Sequence, residues 1–339
     1  MAFTSVGTYT TSSGLVCTIY ETDNGADRLQ LIIPNGTPPT GGRHGVMWLH
    51  GSQGEYNQML TISSLATLRD TILNNGGFIA QSRGSKTSSF NGLNGWGRDT
   101  AKVAYSELAQ QAAAFITVVD WVVIGRSMGG EVGKWLVTQD TYLASRTLGY
   151  VDMSGIYDML AEYDDGNHFD HPSWYGTTEP PTPPARPDPA PDYADPAWAA
   201  WRSSLTSWRS NSATVSARSA LATATTTNDP GRITASLWAG KKVLVVYGTK
   251  DTTAYPPIAG LKFWNDYNTQ FDAATKQLVA VTGATHAQTA GTYDAPQVPD
   301  FIKQLWGIIT PSFKVGNKID AMYFLDRDNQ LHRMNPVPV

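Results

Sequence analysis

Residues 7–34 alternate polar and apolar side chains, with Val16, Cys17 and Ile19 before Asp23-Asn24-Gly25 and Leu29, Leu31, Ile32 and Ile33 after it. A period of two interrupted by a turn triplet predicts antiparallel strands joined as a hairpin. Beyond the loop Pro38-Pro39-Thr40-Gly41-Gly42, the run Gly45-Val46-Met47-Trp48-Leu49 is apolar throughout, which predicts a strand buried on both faces that ends at His50-Gly51-Ser52-Gln53-Gly54. From Met59 to Leu73 the spacing becomes helical (Leu60, Ile62, Leu65, Leu68, Ile72), and Asn74-Asn75-Gly76-Gly77 is its stop signal. Phe78-Ile79-Ala80 predicts the next strand, residues 84–98 a Gly/Ser/Asn-rich loop, and 99–117 a helix.

Trp121 to Ile124 predicts a short buried strand, and helical spacing follows at Val132, Trp135 and Leu136. Further strands are expected at Leu148–Met153, Val243–Tyr247 and Gln277–Val281, with helices near 257–268 and 297–308. Strand and helix alternate along the chain, so the expected class is α/β: a mostly parallel central sheet with helices on both faces. Two stretches break the alternation. Residues 157–239 are far too long for a simple crossover. They hold Pro180-Pro181-Thr182-Pro183-Pro184, more prolines up to Pro196, and Trp174, Trp198, Trp201 and Trp208. Proline stiffens such a segment while the indoles need an apolar surface, which reads as a lid or cap over the catalytic end of the sheet; a surface insertion away from substrate is the alternative. Beyond Pro311, Ala321–Leu325 and Gln330–Met334 predict two short strands across Asp326-Arg327-Asp328-Asn329. The expected organisation is a core of 1–156 and 240–310, a 157–239 insertion, and a small β appendage at 311–339, either an attachment or oligomerisation element or a hairpin packed back on the core.

Composition narrows the function classes. The 339 residues suffice for one large domain with insertions, and the formal net charge of −4 with no basic run argues against nucleic acid as a partner. One cysteine, Cys17, excludes an intrachain disulfide framework. No apolar run approaches the roughly 18–20 residues of a membrane helix. The N-terminus has no basic region followed by an apolar stretch and is not expected to be a secretory signal, which suits a cytoplasmic and a virion-associated protein equally. Asp152, Asp158, Glu162, Asp164, Asp165 and Asp170 crowd together with His168 and His171 among them, but their spacing fits no zinc or EF-hand pattern. A solvated acidic loop is expected there, and no metal or other cofactor.

Gly125-Arg126-Ser127-Met128-Gly129 matches G-x-S-x-G between a predicted strand and a predicted helix. Glycines at 125 and 129 remove side chains that so sharp a turn would drive into its neighbours. The motif alone is weak, since a glycine-rich turn with an inert serine reads the same. Three further signals accompany it, each at a predicted strand end: His50-Gly51; Asp251 in Gly248-Thr249-Lys250-Asp251; and His286 in Thr282-Gly283-Ala284-Thr285-His286.

In this order the four motifs resemble the α/β-hydrolase family of serine esterases and lipases, over roughly residues 10–308. The resemblance implies Ser127 as nucleophile, His286 as base and Asp251 as triad acid. It implies an oxyanion hole from the Met128 backbone N–H with one from Ser52 or Gln53, with His50 bracing that loop. Structural alternatives stand beside these roles: Asp251 as a helix N-cap, His286 as a surface histidine. His44, His168, His171 and His332 are expected bystanders, and Arg126 suits a structural role or contact with an anionic group. The expected activity is cleavage of a small-molecule, lipid or glycan ester through an acyl-enzyme intermediate, the tryptophans favouring an apolar or sugar-bearing substrate. The rival is a binding or structural protein on the same fold. The closing stretch Ala321–Met334 resembles the β endings of tail proteins from phages of actinobacteria, which implies homo-oligomer or virion assembly through the appendage. Retention of a complete Ser, Asp and His set argues against a purely structural role.

Overall fold

Nine strands form one sheet: β1 (Thr4–Thr10), β2 (Val16–Asp23), β3 (Arg28–Pro34), β4 (Arg43–Leu49), β5 (Phe78–Ser82), β6 (Val118–Arg126), β7 (Thr147–Met153), β8 (Val243–Gly248) and β9 (Gln277–Val281). The computed structural model describes residues 2–23, 27–51, 54–84, 99–166, 181–185, 187, 195–224, 230–286, 291–308, 322–325 and 331–334. The strand order is β1-β2-β3-β5-β4-β6-β7-β8-β9. The expected hairpin is present as β2 and β3, with Asp23 opposite Arg28. β1, β2 and β3 run antiparallel, and from β5 to β9 every neighbouring pair is parallel. The central strands β4, β6, β7 and β8 are apolar nearly throughout because helices cover both of their faces.

The chain leaves β4 on one side to make β5 and returns on the other to make β6. This reversal of strand order opens a crevice beyond the carboxyl ends of β4 and β6, where open α/β sheets bind ligands. His50-Gly51 and Ser127 stand at those ends. The strand order, with a helix entered directly from Ser127, is the α/β-hydrolase fold.

One expected helix is broken. Instead of a continuous run over Met59–Leu73 there are α1 (Gln58–Thr61), a 3-10 turn at Ser63–Leu65 and α2 (Ala66–Asn74). Ile62 is extended (φ −89°, ψ 114°). β-Branched Thr61 and Ile62, followed by two serines, are poor helix formers. The carbonyls released by the break, those of Met59 and Leu60, accept from Arg69 Nη1 at 2.7 and 3.4 Å.

The expected helix of 99–117 is α3 (Asp99–Phe115), and α4 (Met128–Gln139) follows the elbow. In the insertion, α5 (Met159–Asp164), α6 (Pro196–Ser204), α7 (Thr206–Arg209) and α8 (Ser212–Ala224) precede β8, and α9 (Gly260–Tyr267) lies between β8 and β9. Behind β7 an aromatic group of Tyr150, Tyr157, Trp238, Phe263, Tyr267 and Phe271 fills the space under α9, with Trp238 and Phe263 centroids 4.8 Å apart. The chain divides into two compact units, Met1–Ala295 and Pro296–Val339. The second holds α10 (Gln297–Leu305) and the antiparallel pair β10 (Met322–Leu325) and β11 (Leu331–Met334), both expected from the sequence. Among the described residues, no helix is long and apolar enough to cross a membrane.

Candidate active site

Ser127 occupies a backbone conformation that L residues rarely adopt, φ 52° and ψ −123°. Such a conformation costs of order 1–3 kcal/mol and persists only where the surroundings hold it. Here the Ser127 carbonyl accepts from the N–H groups of Gly130 and Ile156 at 2.8 and 2.9 Å, and its N–H donates to Met153 at 3.3 Å. The flanking glycines have the role the motif suggested. A Cβ on Gly125 would lie 2.6 Å from the Gly129 carbonyl oxygen, and one on Gly129 would strike the Leu49 and His50 carbonyls. Gly125 therefore lets α4 turn back tightly on the end of β6, and Gly129 lets it pack on the end of β4.

Asp251 and His286 come from loops that are zipped together beyond β8 and β9. Thr249 N–H donates to Val281 at 3.1 Å, Lys250 N–H to Ala284 at 2.9 Å, and Gly283 N–H to the Thr249 hydroxyl at 2.9 Å. His286 Nδ1 lies 2.8 and 3.0 Å from the two Asp251 carboxylate oxygens. A carboxylate only accepts, so Nδ1 carries the proton and Nε2 keeps the lone pair. The Ser127 hydroxyl is 2.9 Å from Nε2 and donates to it. Ser127 and two residues more than a hundred positions downstream of it thus form one hydrogen-bonded chain.

Asp251 is buried and His286 keeps 18% of its side chain exposed. Burial pushes the Asp251 carboxyl up, but the facing His286, the Ala254 N–H and Arg126 outweigh it and hold the group below its ordinary value. The N–H groups of Thr253 and Ala254 donate to Asp251 at 3.0 and 2.9 Å. No helix begins there, the next being α9 from Gly260, so Asp251 caps a turn and is not the helix N-cap that was the structural alternative.

Met128 is the first residue of α4, so its N–H has no acceptor within the helix and points outward from the elbow. Ser52 and Gln53, the expected source of a second oxyanion donor, lie outside the described residues. Their neighbour Gly51 approaches Ser127 closely: a Cβ there would stand 2.9 Å from Ser127 Cβ. His50 is buried, with Nδ1 2.6 Å from the Gly51 carbonyl and Nε2 2.8 Å from that of Arg83. It braces the loop, as expected, rather than facing the crevice.

Burial pushes the His50 imidazole down, and the two carbonyls oppose this without prevailing. A base whose folded-state value lies below its unfolded value, about 6.5, takes up its proton in the unfolded chain first. His50 therefore lets stability stay full above that value and erodes it as the pH falls below. Urea unfolding between pH 7.5 and 5.5 is expected to show this loss, and His50→Gln to flatten it; an equal slope in the variant would assign the acid sensitivity elsewhere. Asp251 acts in a lower window, its stabilisation being lost only as the pH falls through its depressed value.

Two contacts of the site go beyond the sequence reading. Arg126 reaches across to His286, donating from Nη1 to Nε2 at 2.8 Å and from Nη2 to the His286 carbonyl. Its guanidinium lies 4.7 Å from the Tyr293 ring centroid. Behind the elbow, Lys134 of α4 is wholly buried. It donates to Asp152 at 2.6 Å and to the Ile156 carbonyl at 3.0 Å. Tyr150 donates to the same Asp152 oxygen at 3.0 Å. A lysine inside an otherwise buried helix face and an aspartate inside Tyr150-Val151-Asp152-Met153 were the available signals.

The acidic stretch is not a solvated loop. Asp152, Glu162 and Asp165 are buried. Asp165 pairs with Arg202 and Arg209 at 2.8 and 3.5 Å, and Asp164 with Arg218 at 2.6 Å. The arginines arrive from α6, α7 and α8, which are distant in sequence, so the charges are matched only once the insertion folds. Asp170, His168, His171 and Trp174 lie outside the described residues, as does the side chain of Trp198. Trp208 is buried with Met159, Tyr163, Ala254 and Ala259, and Trp201 with Tyr255 and Ile258. The insertion thereby packs on the segment that follows Asp251. His44 pairs with Asp120 at 2.7 Å near the starts of β4 and β6, away from the crevice. The side chain of His332 is outside the described set.

No protein-family model matches the chain, and no curated protein matches it. Solved structures similar to it are found at low identity. A bacterial heroin esterase is similar at 13% identity and a TM-score of 0.49, over 87% of this chain and 85% of that one. An α/β hydrolase from a Medee basin deep-sea metagenome library is similar at 13% identity and 0.46, over 91% and 100%. The esterase Pf2001 of Pyrococcus furiosus is similar at 13% and 0.44, over 89% and 92%.

Proposed function

We propose that the protein is a serine hydrolase that cleaves carboxylic esters through an acyl-enzyme intermediate. The observation that carries this reading is the hydrogen-bonded chain from Ser127 through His286 to Asp251, with the serine on a strained turn at the mouth of the crevice. The fold does not need a serine, an imidazole and a carboxylate so aligned, whereas nucleophilic acyl transfer does.

In this mechanism Ser127 Oγ attacks the ester carbonyl carbon while its proton passes to His286 Nε2. The carbonyl electron pair moves onto oxygen, where the Met128 N–H and a donor from residues 52–53 hold the developing charge. Loss of one such donor typically costs ~10²–10³ in rate. Collapse of the tetrahedral intermediate breaks the bond to the alcohol oxygen, which takes the proton from Nε2. Water then repeats the sequence and releases the acid. Asp251 keeps the proton on Nδ1 and stabilises the imidazolium that forms in each half. None of these steps calls for a metal or an organic cofactor.

Residues 157–239 act in this reading as a cap for a lipid or glycan ester, with Trp201 and Trp208 anchoring it to the segment after Asp251, and residues 311–339 as an appendage. The test is a fluorophosphonate probe with the adduct mapped by mass spectrometry. Labelling confined to Ser127 and absent from Ser127→Ala is expected. A folded protein that stays unlabelled would remove the hydrolase reading.

A further inference from the structure

Two donors converge on one lone pair in this site. The neutral His286 ring offers a single acceptor at Nε2, and both the Ser127 hydroxyl (2.9 Å) and Arg126 Nη1 (2.8 Å) are within bonding distance of it. Only one can hold it at a time. While Arg126 holds it, the serine has no base. The conflict sharpens during acylation, because the imidazolium that must form would lie directly against a guanidinium.

Arg126 itself is poorly provided for. It is 3% exposed, its Nε has no hydrogen-bond partner, and it pairs with no carboxylate among the described residues. Its bonds go to a ring nitrogen and a backbone carbonyl of His286, both neutral. Tyr293 lies across it, and Gly51 flanks it so closely that a Cβ there would stand 3.5 Å from Nη1. A buried cation whose hydrogen-bond partners are neutral, answered only at longer range by the Asp251 carboxylate, is suited to an anion that arrives with the substrate, since charge-assisted bonds are roughly twice as strong as neutral ones.

Position selects the part of the substrate involved. Nε2 delivers its proton to the departing alcohol oxygen, so a group bonded to Nε2 stands beside that oxygen. Resting on the hydrolase reading above, we propose that Arg126 binds a carboxylate or phosphate carried by the leaving alcohol close to the scissile ester, and that the enzyme acts on esters of anionic hydroxy compounds. The substrate anion draws the guanidinium off Nε2, leaves that lone pair to Ser127, and offsets the charge of the imidazolium. An ester without the anion leaves Arg126 on the base. Arg126 is thus both the specificity determinant and a brake on the unoccupied site.

The test compares acetate esters of 3-hydroxybenzoate and of methyl 3-hydroxybenzoate, each kcat/KM divided by the ester's own alkaline hydrolysis rate. The wild-type protein is expected to favour the anionic ester by about ten- to a hundredfold, the worth of one hydrogen bond to a charged group. Arg126→Gln is expected to bring the ratio near one, and Arg126→Lys to keep part of it. Product inhibition of the wild type supplies a measurement free of folding effects: 3-hydroxybenzoate should inhibit more strongly than its methyl ester. No preference in the wild type, equal inhibition by the two products, or a preference that survives in Arg126→Gln would overturn the assignment. A protein labelled at Ser127 by fluorophosphonate but indifferent to charge would overturn this inference alone; a folded protein unlabelled both as wild type and as Arg126→Gln, where the base is released, would overturn the hydrolase reading as well.

Discussion

Replacing His286 by alanine is expected to lower kcat/KM for an activated ester by about four to six orders of magnitude while leaving the fold intact. In the proposed mechanism the imidazole takes the Ser127 proton, passes it to the leaving oxygen, and serves in the same way for water in deacylation. No other described histidine can substitute: His44 is at the opposite strand ends and His50 has both nitrogens against backbone carbonyls. The loss should fall on kcat, because His286 acts on the reacting atoms rather than on the rest of the substrate. Asp251→Asn should cost about 10⁴, since an amide can present its N–H to Nδ1 and hold the ring in the wrong tautomer. Circular dichroism and steady-state kinetics on both variants check this. Near-normal turnover in His286→Ala would mean that another group is the base.

The largest expected loss of stability comes from Lys134→Met. Both members of the Lys134–Asp152 pair are fully buried. Burial pushes the Lys134 ammonium down and Asp152 counters it, so each charge depends on the other. Removing the lysine leaves a carboxylate in the interior with only the Tyr150 hydroxyl and costs about 3–5 kcal/mol. It also frees the Ile156 carbonyl, and Ile156 is one of the residues that bond the Ser127 carbonyl. The double variant Lys134→Met with Asp152→Asn should recover much of the loss, as it leaves no charge unpaired. Urea unfolding of the single and double variants reads the difference. A single variant within about 1 kcal/mol of wild type would show that water or a proton already compensates the pair.

How much of this was legible depends on the range over which each signal acts. Strand and helix periods, turn glycines and the G-x-S-x-G spacing are local, and they place β4, β6, α4, Ser127, Asp251 and His286 on strand ends without any tertiary knowledge. The Met59–Leu73 helix failed because apolar spacing says nothing about a neighbour able to satisfy broken helix carbonyls, and Arg69 is such a neighbour. The acidic stretch around Asp152 failed for a related reason. Charge density along a sequence reads as solvation unless the matching cations are known, and Lys134, Arg202, Arg209 and Arg218 are supplied by helices that only the fold brings near.

Local pattern therefore sufficed for the architecture and for the G-x-S-x-G turn, because each is written in residues adjacent to one another or at strand ends, while the roles of Ser127, Asp251 and His286 came from the family resemblance. Tertiary structure alone decided that His286 Nε2 faces two donors, that Arg126 is buried beside the base, and that a lysine–aspartate pair lies behind the nucleophile. These are properties of side chains converging from separate strands and loops, where angstroms and burial set the chemistry and no periodicity along the chain encodes them.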